Sequence, residues 1–267
     1  MKIVIKIGGS ILDQDLKPIA QDVRALRERG DNLILVHGGA KMVTEIAEKM
    51  GKEQKFVVSV SGFRSRYTDK ETAEIYTMVI GGLLNKQIVV ALFREGVSSV
   101  GLSGIDGQLF KAERKEKIKI KEGEKVLIID GDYTGKVVEV NKQLISSLVE
   151  AGYVPVIGSV AVGRRGEFLN IDGDRAAASL AGTIKSDVVI FLTDVPGVLK
   201  EGKVLRRLNM EEAEKLMERV EGGMRRKIFA ALEALRAGVG KAIIASGMRP
   251  QPIIEALREE DCTVIEQ

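Results

Sequence analysis

Tryptophan is absent from this chain, and cysteine and histidine occur once each, as Cys262 and His37. A single thiol forbids an intrachain disulfide and a cysteine-based zinc cluster, and it fits a reducing cytoplasm. A single imidazole leaves little room for a Ser-His-Asp triad or a multi-histidine metal site. Aromatic residues make up 4% of the sequence, too few for the stacking platform of a nucleic-acid binder. No apolar run approaches the roughly 18–20 residues of a membrane span, and MKIVIKIGGS is too short for a signal-peptide core. The expectation is a soluble, cytoplasmic protein with neither membrane nor nucleic acid as a partner.

What is present is the composition of a globular domain: 267 residues, 45% hydrophobic and 30% charged. That length buries a full core as one large α/β domain or two small lobes. The charge is nearly balanced, with 41 Lys+Arg against 38 Asp+Glu, a net of +3. Residues 111–125 alone hold seven basic and four acidic side chains, so the whole excess sits in one arm. Within it, Lys117 to Lys121 alternates Lys and Ile, which puts lysines on one face of a strand and isoleucines on the other.

Apolar strands ending in glycine turns alternate with amphipathic helices for most of the length. Residues 2–7, 33–36, 97–101, 154–157, 188–193 and 241–245 read as strands. Residues 16–29, 41–50, 141–151, 172–183, 210–220, 225–237 and 251–258 read as helices, and 69–95 as two helices broken near Gly81-Gly82. The expected fold is an α/β/α sandwich with a mostly parallel central sheet and a small antiparallel insertion around residues 117–140. A lobe boundary is placed near residue 160, giving residues 1–160 and 161–267.

The glycines carry the chemistry. Gly8-Gly9 and Gly38-Gly39 close the first two strands, and ligands of open parallel sheets sit beyond such carboxyl ends. Glycine admits a backbone N–H close to an anion, and a following helix N-terminus adds positive potential. Neither a dinucleotide fingerprint nor a Walker loop is present. Lys6 lies inside the apolar strand before Gly8, where a lysine costs desolvation unless an anion awaits it; the alternative is a snorkelling edge-strand lysine. Lys227 follows Gly222-Gly223-Met224 at a helix start. Asp174 lies in the first turn of a helix and can hold two lysines apart, or simply cap it. Thr193-Asp194-Val195-Pro196-Gly197 forms a polar loop at another strand end. Arg64 and Arg66, in a short polar segment, point to an acidic substrate or to a surface ion-pair patch.

These motifs, in this order, resemble the amino acid kinase family and its acetylglutamate kinase branch, along essentially the whole chain. The resemblance implies ATP, with Mg²⁺ carried on its phosphates and no metal-ligand set of the protein's own. It implies that residues 1–160 bind the acyl acceptor and residues 161–267 bind ATP. Lys6 and Lys227 would flank the transferred phosphoryl group, with Asp174 holding both. Gly8, Gly9, Ser10, Thr193, Asp194, Gly197, Gly223 and Met224 would serve the nucleotide. Gly38, Gly39, Arg64, Arg66 and Asn170 would serve the acceptor. Ala40 stands where the family usually has a third glycine. The stretch Arg64-Ser65-Arg66-Tyr67-Thr68, with Tyr133-Thr134-Gly135-Lys136, is most similar to the kinases of carrier-protein lysine and arginine biosynthesis. Those phosphorylate glutamate or 2-aminoadipate attached to LysW, a small acidic carrier. Lys115, Lys117, Lys119, Arg164 and Arg165 would then dock the carrier. A homodimer is also implied. The alternatives are a kinase of free N-acetylglutamate, and a non-catalytic nucleotide-binding protein on the same scaffold.

Overall fold

The computed structural model describes residues 1–60, 62, 64–114, 116–123 and 125–267, with the backbone alone at position 64. The first strand, β1 (Lys2–Ile7), is a β-branched run buried on both faces, as a central parallel strand requires. It is followed by α1 (Lys17–Glu28), opened by Pro18 in its first turn, and by β2 (Asn32–His37). Gly30, at φ +90°, ends α1 in the left-handed conformation that glycine takes without strain. Next come α2 (Ala40–Lys49), β3 (Lys55–Ser59) and β4 (Arg64–Tyr67).

A continuous helical run then passes through α3 (Lys70–Thr77), a π-helical stretch (Met78–Leu84) and α4 (Asn85–Arg94). The break expected at Gly81-Gly82 is therefore a widened turn inside one helix. By length and composition this run can cross a membrane, contrary to the reading that no such stretch exists. Ile75, Val79, Ile80, Leu84, Ile88 and Leu92 nevertheless pack into the core.

The middle of the chain supplies β5 (Ser99–Ser103), β6 (Phe110–Arg114), β7 (Lys117–Glu122), β8 (Lys125–Asp130), β9 (Thr134–Val140), α5 (Lys142–Glu150) and β10 (Val154–Gly158). A hairpin of β11 (Val160–Gly163) and β12 (Phe168–Ile171) precedes α6 (Gly173–Ile184) and β13 (Val188–Thr193). The remainder is a small ribbon, β14 (Leu199–Lys200) with β15 (Lys203–Val204), then β16 (Arg207–Asn209), α7 (Met210–Met217), α8 (Gly222–Arg236), β17 (Lys241–Ser246), α9 (Pro252–Leu257) and β18 (Thr263–Glu266).

The main sheet runs β16-β18-β17-β13-β1-β2-β10-β5 and is parallel except between β17 and β18. One hydrophobic cluster lies on each face: Ile3, Ile5 and Ile7 look one way, and Val4 and Phe191 the other. That is the expected three-layer sandwich. The antiparallel part is larger than the sequence indicated. It comprises a four-stranded sheet, β4-β3-β7-β8, and a closed barrel of β11, β12, β9 and β6. The barrel is tied to the main body where Ile171 N–H donates to Ser159 O, 3.3 Å away.

Candidate active site

Lys6 stands in register between Val36 of β2 and Phe191 of β13, at the carboxyl end of the central strand. It is only 7% exposed, so the edge-strand alternative is excluded by its place in the sheet. The helix α6 begins opposite it. Asp172 caps that helix, accepting the Arg175 N–H at 3.0 Å. Asp174, in the first turn of that helix and 5% exposed, turns its carboxylate onto Lys6. Oδ1 lies 2.7 Å from Lys6 Nζ, and Oδ2 lies 3.5 Å from Lys227 Nζ. Lys227 arrives on α8 and is 9% exposed. Three residues distant in sequence thus meet as two buried ammoniums around one carboxylate.

The electrostatics follow from that arrangement. Burial pushes the Asp174 carboxyl up, but the charges of Lys6 and Lys227 more than reverse it, holding it below the ordinary carboxylate range. Burial pushes Lys227 down, and the like charge of Lys6 adds to this against the pull of Asp174. Two positive groups and one negative group leave the cluster net cationic, an unbalanced charge that suits an anionic ligand.

Backbone donors surround it. A Cβ on Gly173 would lie 3.5 Å from Lys6 Cε and 3.6 Å from Gly38 N. A Cβ on Gly9 would lie 3.7 Å from Gly39 N and 3.9 Å from Ala40 N, so the two glycine turns face each other. Gly8 is constrained differently: its N–H donates to Leu192 O at 3.0 Å, and a Cβ there would meet that oxygen at 2.7 Å. Among the described residues, the N–H groups of Gly9, Gly38 and Gly39 meet no acceptor. Unpartnered donors converging on buried lysines are the ingredients of a phosphate site.

Other expected residues divide into those near this centre and those with structural work. Ser10 is half-buried in the turn after Gly9. Thr193 ends β13 beside β1, and its hydroxyl donates to the exposed Asp194 at 3.1 Å. Gly197 packs on β18 rather than facing the site, since a Cβ there would lie 2.6 Å from Thr263 Oγ1. Gly223, exposed, and Met224 lie in the first turn of α8, with Met224 packed on the core. Asn170 lies on β12, its Nδ2 donating to Thr68 Oγ1 at 3.0 Å.

The short polar segment with the two arginines contains the strand β4. Arg66 is buried there. Nη2 donates to Ala40 O at 2.7 Å and Thr44 Oγ1 at 2.8 Å, Nη1 donates to Gln54, and the guanidinium stacks over Phe56. It is neither a surface ion-pair residue nor paired with any carboxylate among the described residues. The Arg64 side chain and Lys115 lie outside the described residues. A Cβ on Gly62 would lie 3.6 Å from Arg225 Nη1, which brings the first turn of α8 near the β3–β4 hairpin.

Sequence reasoning passed over Asp132, Ser159 and Asn85. Buried Asp132 accepts from Thr68 N–H at 2.9 Å and from Thr134, bracing the residue that holds Asn170. Ser159 Oγ bonds Tyr76 OH at 3.1 Å, and burial pushes that phenol up to about 12. A polar residue inside an apolar run, such as Asn85, was the available signal.

Two buried lysines about one carboxylate, ringed by free backbone N–H groups at the carboxyl ends of parallel strands, are an arrangement suited to an anionic phosphoryl group. The model of the amino acid kinase family matches residues 1–246, and the chain belongs to that family. It is a phosphotransferase. A protein of Nitrosopumilus maritimus is 49% identical over 266 residues, covering 99% of each chain. A Saccharolobus solfataricus protein named LysW-aminoadipate/LysW-glutamate kinase is 43% identical over 265 residues, covering 98% of each. Among solved structures, smu.665 from Streptococcus mutans superposes with a TM-score of 0.79 at 23% identity, covering 99% of this chain and 98% of that one. Carbamate kinase from Giardia lamblia superposes with a TM-score of 0.67 at 16% identity, with coverage of 99% and 98%. These two likenesses carry the fold.

Proposed function

We propose that the chain transfers the γ-phosphoryl group of ATP to the side-chain carboxylate of glutamate or 2-aminoadipate held on a small acidic carrier protein of the LysW type. The product is an acyl phosphate for lysine or arginine biosynthesis in the cytoplasm. The observation that carries the reading is the Lys6–Asp174–Lys227 cluster, at 2.7 and 3.5 Å, beside the unpartnered N–H groups of two glycine turns.

The attacking carboxylate is ionised at neutral pH, so no general base is required, which suits a site whose one imidazole is engaged elsewhere. A carboxylate oxygen forms a bond to the γ-phosphorus while the bond to the β,γ-bridging oxygen breaks, and ADP departs with that electron pair. The chain must position two anions in line and offset their charge. Lys6 offsets charge on the transferring group and Lys227 on the leaving oxygen, while Asp174 keeps the two ammoniums apart. Gly8, Gly9, Ser10, Gly38 and Gly39 line the phosphoryl path. Thr193, Asp194, Gly223 and Met224 border the nucleotide, with Gly197 shaping the loop behind them, and Arg64, Arg66 and Asn170 border the acyl acceptor. Mg²⁺ bound to ATP phosphates supplies further neutralisation. Among the described residues no cluster of three His, Cys, Asp or Glu side chains offers it a site, and both oxygens of Asp174 face lysines. Residues 1–160 form the acyl-acceptor lobe and 161–267 the nucleotide lobe, sharing one sheet.

The carrier reading is supported by β7 and β8. Lys117, Lys119 and Lys121 are exposed and, among the described residues, have no counter-ion. Lys119 and Lys121 pair across the ladder with exposed Ile128 and Val126. Lys121 also pairs with Val58 of β3, one step along a strand from Phe56, the partner of Arg66. A basic and apolar face thus adjoins the acyl-side arginine on the same sheet. Arg164, by contrast, pairs with Glu113, so that tip contributes chiefly through Arg165. A second copy of the chain would cover Met78, Leu83, Val90 and Phe93, which stand exposed along α3–α4.

Trapping the acyl phosphate with hydroxylamine tests the reading. Carrier-linked glutamate or aminoadipate should turn over with a rate that falls steeply with salt, because surface steering is screened. Efficient, salt-insensitive use of free N-acetylglutamate would replace the carrier reading. ATP binding without turnover of any acidic acceptor would refute the kinase reading itself.

A further inference from the structure

The lone histidine is fully buried, and both ring nitrogens are engaged. Nδ1 of His37 lies 3.0 Å from the carbonyl oxygen of Gly38, and Nε2 lies 3.1 Å from Nδ2 of Asn85. A carbonyl oxygen only accepts, so Nδ1 carries the proton and Nε2 is the acceptor. Asn85 agrees with this assignment. Its Nδ2 has two N–H bonds for three acceptors, the ring Nε2, Leu102 O at 3.0 Å and Val156 O at 2.9 Å, so one of them is shared, and its Oδ1 accepts from Lys86 Nζ at 3.0 Å. Those carbonyls belong to β5 and β10, so the ring is braced against a helix and two strands.

We infer that His37 is a positioning residue for phosphoryl transfer: its Nδ1–H holds the Gly38 carbonyl and thereby aims the Gly39 N–H into the site. A trans peptide is planar, and its C=O and N–H point in opposite directions. Anchoring Gly38 O on the imidazole side turns the Gly39 N–H away from the ring. On that other side lies Gly9, whose Cβ position is 3.7 Å from Gly39 N. Gly39 has φ +143°, in a region that only glycine occupies freely, and the residue before it is also glycine. Such a link resists peptide rotation poorly by itself. The imidazole supplies the restraint from outside, and Asn85 restrains the imidazole. Burial holds the ring neutral, with its pKa pushed down to about 4 and the charges of Lys6 and Lys86 acting in the same sense. The Nδ1–H tautomer is therefore kept throughout the neutral range.

The inference rests on the phosphate role proposed for the Gly39 N–H, and two measurements separate it from that reading. The chain has one histidine, so its ring nitrogens give isolated ¹⁵N signals in wild-type protein. The Nδ1–H tautomer is expected between about pH 5.5 and 8; the Nε2–H tautomer would overturn the inference with no variant involved. Kinetically, His37→Asn keeps an amide N–H close to the Nδ1 position, whereas His37→Leu fills the space without a donor. His37→Leu should lower kcat about 10- to 100-fold, with KM for both substrates within about threefold. His37→Asn should restore most of that loss. Equal losses in the two variants, or unchanged kcat in His37→Leu, would overturn the role. Wild-type turnover in the same assay reports separately on the kinase reading, and the tautomer decides if His37→Leu fails to fold.

Discussion

Replacing Asp174 by Asn removes one negative charge from between two buried lysines and leaves the shape nearly unchanged. The carboxylate lies 3.5 Å from Lys227 Nζ. At an effective dielectric constant of about 20, a unit pair at that distance interacts by about 5 kcal/mol. Lys227 is already below the usual lysine range, because burial opposes its charge and Lys6 repels it. Losing its nearest opposing charge, with only the weaker pull of Asp172 left, carries it further down. A lysine is cationic only below its pKa, so Asp174→Asn should lose activity as pH rises. Wild type, with the carboxylate in place, should change far less over the same interval.

The assay is kcat at saturating ATP and acceptor from about pH 6 to 9, by ADP release. At the acid end the variant should remain about 10²–10³-fold below wild type, because two lysines no longer have a common anchor. At the alkaline end the gap should widen by at least about tenfold. Lys227→Met, which has no ammonium to lose, should show a constant deficit instead. If kcat of Asp174→Asn runs parallel to wild type across the range, or rises with pH, the charge-holding role of Asp174 is wrong. Circular dichroism at each pH excludes unfolding as the cause, since an unpaired buried charge costs about 3–5 kcal/mol.

Two further outcomes follow from the same structure. His37 titrates near 6.5 unfolded and at about 4 folded, so the unfolded chain binds more protons as pH falls; urea-measured stability should drop by about 2 kcal/mol between pH 7.5 and 5, and a constant or rising value would refute the buried neutral imidazole. Phe93, 76% exposed on α4, should anchor a self-association face, so Phe93→Asp should convert a dimer to a monomer in light scattering with Tm little changed; an unchanged mass would place the dimer elsewhere.

The cluster of Lys6, Asp174 and Lys227 was legible in part, where Lys6 and the glycine turns beside it break a local rule. Lys6 is a charge in a strand of β-branched residues, and Gly8-Gly9 and Gly38-Gly39 end strands with no side chain to pack. The motif order then joined Asp174 and Lys227, which no periodicity connects. The parallel sheet was legible for a similar reason: its strands, buried on both faces, are continuous apolar runs. Three features were not legible. Residues 64–67 carry four polar or aromatic side chains and read only as a short polar segment, yet they pair with β3 and become β4, because tertiary pairing overrides local polarity. The helix around Gly81-Gly82 continues as a π-helical stretch because neighbouring turns and packing hold it. His37 served only to exclude chemistry, since nothing in one dimension indicates that Asn85, forty-eight residues on, will meet its Nε2.

The small charge excess divides in an informative way. Of the basic arm, Lys111 is consumed by Glu139 at 2.9 Å, and Arg114 by the carbonyls of Gly131 and Asp132 and the ring of Tyr133. Those contacts lock β6 and β9 into the barrel that carries Asn170. Among the described residues, the lysines left without an ion pair are Lys125 at the start of β8 and the three on β7, where alternation puts Lys117, Lys119 and Lys121 on one face. Structural and free charges therefore separate by strand, not by sequence distance, since Arg114 and Lys117 are three residues apart. The sheet that displays the free lysines also holds β4 and Arg66, so an acidic macromolecule docked on β7 and β8 would lie two to three strand spacings, or about 10–14 Å, from the arginine proposed for the acyl side. An extended chain covers that distance in about four or five residues. A flexible carrier terminus bearing the substrate spans it easily, whereas a free amino acid gains nothing from the lysines. Salt dependence that appears with carrier-linked substrate and is absent with a free one is thus a consequence of the sheet order itself.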